Sequence, residues 1–404
     1  MKRYLFSIVF AVFAVGGIAV SYIYSAIDHL PKYRLAAVQG NPEEGRAVEL
    51  LGSYYGSVYS YALNVNEIGS SYSQYTQTNF RHNILNTRPW FFRYSDIRQL
   101  VKEHRPFMRN RSNSNGFYSD EERLIYADTA RTYNEASKST ITILSISILD
   151  KATKQTREYE LNIEEPHNIL LRDVQFTDDR IHLLMSVYPS DRMSSDSIYH
   201  YAVGLSDGEL KSVEKLEQLA LNSDDEHIYR AYAIADSTSS APNDFVIFLQ
   251  YEEKITSVNG VDSYRSERIS ERFYAYSYRT GELSALPIKS GDRGVGSLDG
   301  NVFAYAVKQD EEIMLSSYDL NTGVLNEAAI TASDMGATEI GNSMSIANNR
   351  LYVLITKDRV PMAAVVDIHN GELLYAGEAV YVGPDSEAEY RMGRLHLLNL
   401  KVKE

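Results

Sequence analysis

MLSSYDLNTGVL (Met314–Leu325) reads as a strand, a tight polar turn and the start of a second strand, and the chain repeats it. AAVVDIHNGELL (Ala363–Leu374) and YAYSYRTGEL (Tyr274–Leu283) follow the same plan. Weaker copies lie at Tyr199–Leu210, with Ser206-Asp207-Gly208, and at Ile146–Tyr159, where Lys154 stands in the Gly position. An Asp at the first corner accepts backbone N–H bonds, two residues follow in a type I turn, and Gly takes the left-handed conformation that reverses the strand. In phase upstream, a polar residue leads into an apolar strand at Arg123–Tyr126, Arg180–Leu184, Asp244–Phe248, Asn301–Tyr305 and Arg350–Leu354. The marker positions Leu124, Ile181, Phe245, Val302 and Leu351 are spaced 57, 64, 57 and 49 residues apart. Repeats of roughly 40–50 residues with several strands each are the mark of propeller blades, and longer hairpins stretch some of them. Solenoid repeats are shorter, and sandwich strands do not recur in phase. The expected fold is all-β, a β-propeller.

Residues 33–93 alternate strand-like stretches (Tyr33–Gln39, Ala47–Tyr55, Ser57–Asn66, Gln74–Phe80) with polar turns, and are expected to supply one blade. Arg394–Val402 alternates in period two and is expected to close the ring beside them, because an open ring leaves strand edges exposed. Five repeated units and one assembled from both termini give six blades, with seven as the alternative. Ser95–Met108 reads as one inserted helix: Ser95 caps it, Ile97, Leu100 and Val101 share a face, and Pro106 disrupts its end. Its apolar face is short and suits packing against the propeller. Arg98, Lys102, Arg105 and Arg109 leave contact with a membrane as the other reading. Tyr188–Ser197 and Glu252–Ser270 read as long insertions between strands.

The turns resemble those of bacterial repeat propellers of the quinoprotein (PQQ-like) and YVTN-type classes, whose blades carry an Asp-x-x-Thr-Gly-Lys/Glu turn. The resemblance runs over residues 120–380 and is specific at Asp319–Gly323, Arg279–Glu282 and Asp367–Glu372. Quinoproteins place a docking Trp after each such turn. Here those places hold Asn326, Ala285 and Tyr375, and Trp90 is the only Trp in the chain. The resemblance therefore implies a fold and no quinone site.

Lys2 and Arg3 precede 24 uncharged residues, Tyr4–Ile27. A helix of that length reaches about 36 Å, enough to cross a hydrocarbon core of about 30 Å. The segment is expected to be an uncleaved signal-anchor. Residues 1–3 would then be a cytoplasmic stub, 28–36 a linker and 37–404 an extracytoplasmic propeller on a single-pass cell-membrane protein. A cleaved signal peptide is the alternative, cut after Ala19-Val20-Ser21, although apolar residues continue beyond that point. The chain carries 54 Asp+Glu against 40 Lys+Arg, a net −14; setting aside Lys2, Arg3, Asp28 and Lys32 leaves −16 on residues 33–404. That balance argues against a nucleic-acid partner, which needs a basic face. The absence of Cys excludes a disulfide scaffold, a thiol nucleophile, an iron–sulfur cluster and any Cys-ligated zinc. In an exported chain it suits a Gram-positive bacterium.

No Gly-rich phosphate loop, HExxH or GxSxG motif occurs, so no cofactor is expected and enzymatic function is the less favoured reading. The nine histidines are scattered, and no two stand at metal-ligand spacing within one element; His182 and His396 read as strand histidines. Asp224-Asp225-Glu226-His227 is the best local metal candidate. Its hard oxygen ligands would suit Ca2+, but it lacks the EF-hand order, and a solvated loop is the plainer reading. Tyr54, Tyr55, Tyr59, Tyr61, Tyr72 and Tyr75 crowd together among Ser, Gly, Gln and Asn. Such rings can stack on sugars or grip a peptide, and Tyr is equally a favoured strand residue. Together these features predict a membrane-tethered recognition or scaffold module that meets another envelope protein or a cell-wall glycan. A hydrolase or lyase with its site at the propeller channel is one alternative, and the sensory subunit of an envelope-stress system is another.

Overall fold

The computed structural model describes residues 15–16, 30–56, 60–72, 95–134, 139–163, 168–188, 197–219, 227–234, 240–257, 264–291, 294–309, 312–331 and 339–403. The expected anchor, Tyr4–Ile27, falls outside the described residues except for Val15 and Gly16. Among the described residues no helix is long and apolar enough to cross a membrane.

Strands β1 (Tyr33–Gly40), β2 (Val48–Tyr55), β3 (Ser60–Val65) and β4 (Ser70–Tyr72) come first, followed by helices α1 (Ser95–Glu103) and α2 (Arg105–Met108). Next are β5 (Phe117–Ser119), β6 (Arg123–Asn134), β7 (Ser139–Asp150), β8 (Thr156–Ile163), β9 (Asn168–Thr177), β10 (Arg180–Tyr188), β11 (Ser197–Gly204) and β12 (Leu210–Lys215). They are followed by β13 (His227–Ala233), β14 (Phe245–Ser257), β15 (Tyr264–Ser277), β16 (Leu283–Ala285), β17 (Val295–Asp299), β18 (Val302–Gln309), β19 (Glu312–Asp319) and β20 (Leu325–Thr331). The chain ends with β21 (Glu339–Ala347), β22 (Arg350–Lys357), β23 (Val360–Asp367), β24 (Leu373–Tyr381), helix α3 (Asp385–Met392) and β25 (Leu395–Val402).

These strands form six antiparallel sheets. Blade I is β25-β2-β3-β4, and blades II to V are β5–β8, β9–β12, β13–β16 and β17–β20. Blade VI is β21–β24. First strands of neighbouring blades meet, as β5 does with β9, β17 with β21 and β21 with β25, so the first strand is the inner one. The architecture is a β-propeller of six sheets.

The five polar-led apolar runs are the second strands, β6, β10, β14, β18 and β22, and the five repeated turns join third to fourth strands. Turn chemistry follows the expected form. Asp319 Oδ1 accepts from the amides of Asn321 (2.9 Å) and Thr322 (2.8 Å), and Gly323 sits at φ +73°. Asp150 repeats the arrangement, but the left-handed residue there is Lys154 at φ +61°. A side chain in that region costs about 1 kcal/mol, and glycine gives back part of it as chain entropy in the unfolded state. Lys154→Gly should therefore raise stability by about 0.5 kcal/mol and Gly323→Lys should lower it by about as much, read by chemical denaturation.

Apolar clusters fill the gaps between blades II and III, III and IV, IV and V, V and VI, and VI and I. On the other face of blade II, Phe117, Leu124, Tyr126 and Leu149 pack against Ile97, Leu100, Phe107 and Met108 of the helices. The helical segment thus packs on the propeller. It is broken in two at His104 (φ −127°, ψ 39°) rather than continuous over 95–108, because Pro106 lacks the amide a continuing helix needs.

Three further expectations change. Tyr33–Gly40 joins no blade with its sequence neighbours; it pairs with β24 from Tyr33↔Tyr381 to Gly40↔Tyr375 as a fifth strand of blade VI. Residues 33–36, expected in a linker, are therefore part of the disc. Within Glu252–Ser270, residues 252–257 and 264–270 form a ladder, paired out to Ser257↔Tyr264, and residues 258–263 lie outside the described residues. Residues 189–196 and Gln74–Phe80 lie outside the described residues.

Candidate functional site

Period-two alternation puts Asp173 and Gln175 of β9 on one face of blade III. Register carries that face outward: Gln175 pairs with His182 and Asp173 with Leu184, while His182 pairs with Ala202 and Leu184 with His200. His200 in turn lies opposite Glu214. The face meets Tyr276 and Tyr278 from the end of β15 in blade IV, with Leu184 and Ile198 as shared apolar packing. The two histidines, 18 residues apart in sequence, end with Nδ1 of His182 2.9 Å from Nε2 of His200 and their rings stacked at 5.1 Å. Tyr278 stands edge-on to His182 (6.0 Å) and to Tyr276 (5.6 Å), and the Tyr276 ring lies 5.3 Å from His200.

Behind them Tyr278 donates its hydroxyl to Asp173 at 2.5 Å, and Gln175 accepts from the Asn243 amide. Asp173 is 2% exposed. Burial pushes its carboxyl up to about 7, with the bonds from Tyr278, Val174 and Gln175 opposing. Burial also holds the His200 imidazole down to about 4, helped by His182. His182 is lowered by burial, against the pull of the Thr177 backbone carbonyl. Both imidazoles are therefore neutral at pH 7, sharing one proton between Nδ1 and Nε2. Nε2 of His182 and the Tyr276 hydroxyl are buried and make no hydrogen bond within the described residues. A buried polar group left unpaired costs about 1–3 kcal/mol, so two together are an uncommon expense.

Both groups line a cleft of about 340 Å³ between blades III and IV, at the end of the disc where the β9–β10, β11–β12 and β15–β16 turns gather. Its walls include Asp178, Arg180, Ser212, Glu214, Arg279 and Thr280. Two acids face two guanidinium groups, and Arg279 is engaged by Asp244 at 2.9 Å. The cleft is polar with little net charge. It sits between two blades and not in the central channel.

The tyrosines singled out in the sequence divide. Tyr54 and Tyr61 are buried and Tyr72 half-buried, in a knot with Tyr33 and Tyr381 between blades I and VI. Arg391 donates to the Tyr54 hydroxyl at 3.0 Å, Tyr72 donates to the Pro31 carbonyl at 2.6 Å, and Tyr33 donates to the Arg391 carbonyl at 2.9 Å. Buried rings offer no stacking face. Tyr55 is half-exposed beside His396, and Tyr59 and Tyr75 lie outside the described residues. So do Asp224, Asp225 and Glu226; His227 opens β13. Among the described residues no three His, Asp or Glu side chains are grouped to hold a metal.

No known family model matches the chain, and no curated protein matches it. Solved structures similar to it include an ACO/RPE65 chimera, 9% identical over 73% of this chain and 64% of that one, with a TM-score of 0.36. This chain thus spans less than two thirds of the chimera. The β-propeller domain of the Trilobed protease from Pyrococcus furiosus is 9% identical over 66% of this chain and 82% of its own, at a TM-score of 0.30. The Dos1 propeller is 10% identical over 69% and 75%, at a TM-score of 0.32.

Proposed function

We propose that the protein is a recognition module, held at the outer face of the cell membrane by Tyr4–Ile27, and that its ligand enters the cleft between blades III and IV. The observation that carries this reading is the pair of buried, unpartnered polar atoms, His182 Nε2 and the Tyr276 hydroxyl, at the cleft wall. A ligand that hydrogen-bonds both would satisfy them. Balanced wall charges and neutral imidazoles favour an uncharged, hydroxyl-rich ligand over an ion. A segment of cell-wall glycan has that chemistry. Hydrolysis or lyase chemistry would draw on the Asp173 carboxyl, which burial pushes up to about 7, on the same blade as the two imidazoles. Asp173, however, does not line the cleft, so a substrate there would not touch it.

Tyr276→Phe tests the reading directly, because it deletes one unpartnered oxygen and leaves the ring. The variant should be more stable than wild type by about 1 kcal/mol. Thermal shifts of the full chain in detergent with soluble cell-wall glycan fragments should be positive for wild type and vanish in Tyr276→Phe and in His182→Phe. Shifts of equal size in all three proteins would place the ligand elsewhere and sink the proposal.

A further inference from the structure

The helical insert carries an electrostatic anomaly. Lys102, Arg105, Arg109 and Arg111 line a cleft of about 940 Å³ with Val101, Met108, Asn110 and Ser112, and among the described residues no acid lines it. Acids outnumber bases by 14 in this chain, so four cations gathered on one cleft are not an accident of composition. Of the four, only Arg111 has a carboxylate of the described residues within ion-pair reach, Glu158 at 3.8 Å. The Arg111 guanidinium lies over the Phe107 ring at 3.9 Å and beside Tyr126 at 5.2 Å, and its buried Nε has no hydrogen-bond partner. Lys151 and Lys154 add positive potential at nearby His104. Glu103 opposes them there, and it accepts from Gln99 at 2.8 Å.

Topology places this cleft in the connection that leaves β4, the strand the N-terminal segment touches. Tyr33 pairs with Tyr381 at the end of β24, so the chain leaves toward its N-terminus at the end of the disc where fourth strands give way to first strands of the next blade. The helices lie in the fourth-to-first connection from β4 to β5. The two exits touch: the Tyr72 hydroxyl at the end of β4 bonds the Pro31 carbonyl, and the Tyr33 amide donates to Ser70 Oγ.

We infer that the α1–α2 cleft binds the phosphate headgroups of anionic phospholipids in the membrane the anchor enters, an inference that rests on the tethering half of the proposed function. Val101, partly exposed beside the cations, suits a phosphate attached to an acyl-bearing glycerol better than a free polyanion. The rest of the acidic domain does not oppose this contact strongly, because charges more than about 8–10 Å away are screened at physiological salt. The domain is therefore docked at one edge and does not swing free on its linker.

Hydrogen exchange on the full chain in lipid nanodiscs tests this. In discs with 30% phosphatidylglycerol, amides of residues 101–112 should exchange at least three-fold more slowly than in pure phosphatidylcholine. That protection should disappear at high salt and in the Lys102→Glu/Arg105→Glu/Arg109→Glu variant. Equal exchange in the two lipids overturns the inference, as does protection that grows with protein concentration in neutral discs, which would mark a second copy as the occupant. Protection by soluble polyphosphate but not by phosphatidylglycerol overturns it as well. Retention of the chain in discs is scored separately by gel filtration. If it is not retained, the tether fails alone, and sedimentation with phosphatidylglycerol vesicles then decides the cleft. At roughly five-fold per basic residue near an anionic surface, the triple variant should bind those vesicles about 100-fold more weakly; equal binding overturns the inference.

Discussion

A chain that ends at Gly393, lacking Leu395–Val402, should lose cooperative unfolding altogether. β25 is the inner strand of blade I, supplied from the far end of the sequence, and pairs with β2 from Val48↔Val402 to Tyr54↔Leu395. Leu395, Leu397 and Leu400 are buried against Val48, Leu50, Leu63 and Val65. Three buried leucines contribute about 5–9 kcal/mol together, comparable with the whole net stability of a typical domain. The Leu400 amide also donates to Ser343 Oγ of β21 at 3.0 Å, tying blade I to blade VI. Deletion would strip β2 of its inner partner and expose a long strand edge, which promotes pairing with other chains. Near-UV circular dichroism should show no thermal transition, and gel filtration should show aggregates. A cooperative transition within about 5 °C of wild type would mean that the ring closes without β25. Leu400→Ala is the milder probe and should cost about 2–4 kcal/mol while keeping the transition.

The blade repeat was legible because its signals are local. An Asp that caps its own turn and a residue at positive φ four positions later are set within five residues, whatever the partners do. Strand closure by Arg394–Val402 was legible for a different reason, since its alternation leaves one apolar face to cover. What local pattern cannot encode is the choice among partners. Tyr33–Gly40 has the composition of a strand, and only the exposed outer edge of β24 makes blade VI its home. The His182–His200 pair was missed because spacing was sought within one element, whereas the pair spans two neighbouring strands. A period-two reading of each hairpin would have found it. Aligning Arg180–Val187 against Ser197–Gly204 brings both rings onto one face. The tyrosine cluster misled in the opposite sense: hydroxyl-bearing rings read as a surface, yet Arg391 and backbone carbonyls satisfy Tyr33, Tyr54 and Tyr72 inside the interface.

Asp173→Asn and His200→Gln should give stability–pH profiles of opposite slope between about pH 4 and 7. The Asp173 carboxyl is raised by burial from 3.8 to about 7, so the native state holds a proton in that window that the unfolded chain has already released. Stability conferred by the protonated form is complete below the unfolded value and is lost as pH rises toward 7. His200 behaves inversely. Its native value of about 4 lies below the ordinary 6.5, so the unfolded chain takes up a proton first as pH falls, and stability drains away on the acid side. A shift of three pH units corresponds to about 4 kcal/mol and one of two and a half to about 3 kcal/mol, so these two groups nearly cancel, and the lowered His182 leaves wild type a shallow rise with pH. Asn at 173 can still accept from Tyr278, but its amide would face that of Gln175, which lies 3.4 Å from the Asp173 carboxylate. Asp173→Asn should therefore be about 1 kcal/mol less stable than wild type at pH 4 and more stable by up to about 3 kcal/mol at pH 8, with stability climbing in between. His200→Gln removes the compensating base, and its stability should fall as pH rises across the same window. Urea denaturation at half-unit pH intervals resolves both slopes. Parallel profiles for the two variants would show that Asp173 and His200 do not titrate in opposition across this window, and that the neutral imidazole pair at the cleft wall is wrong.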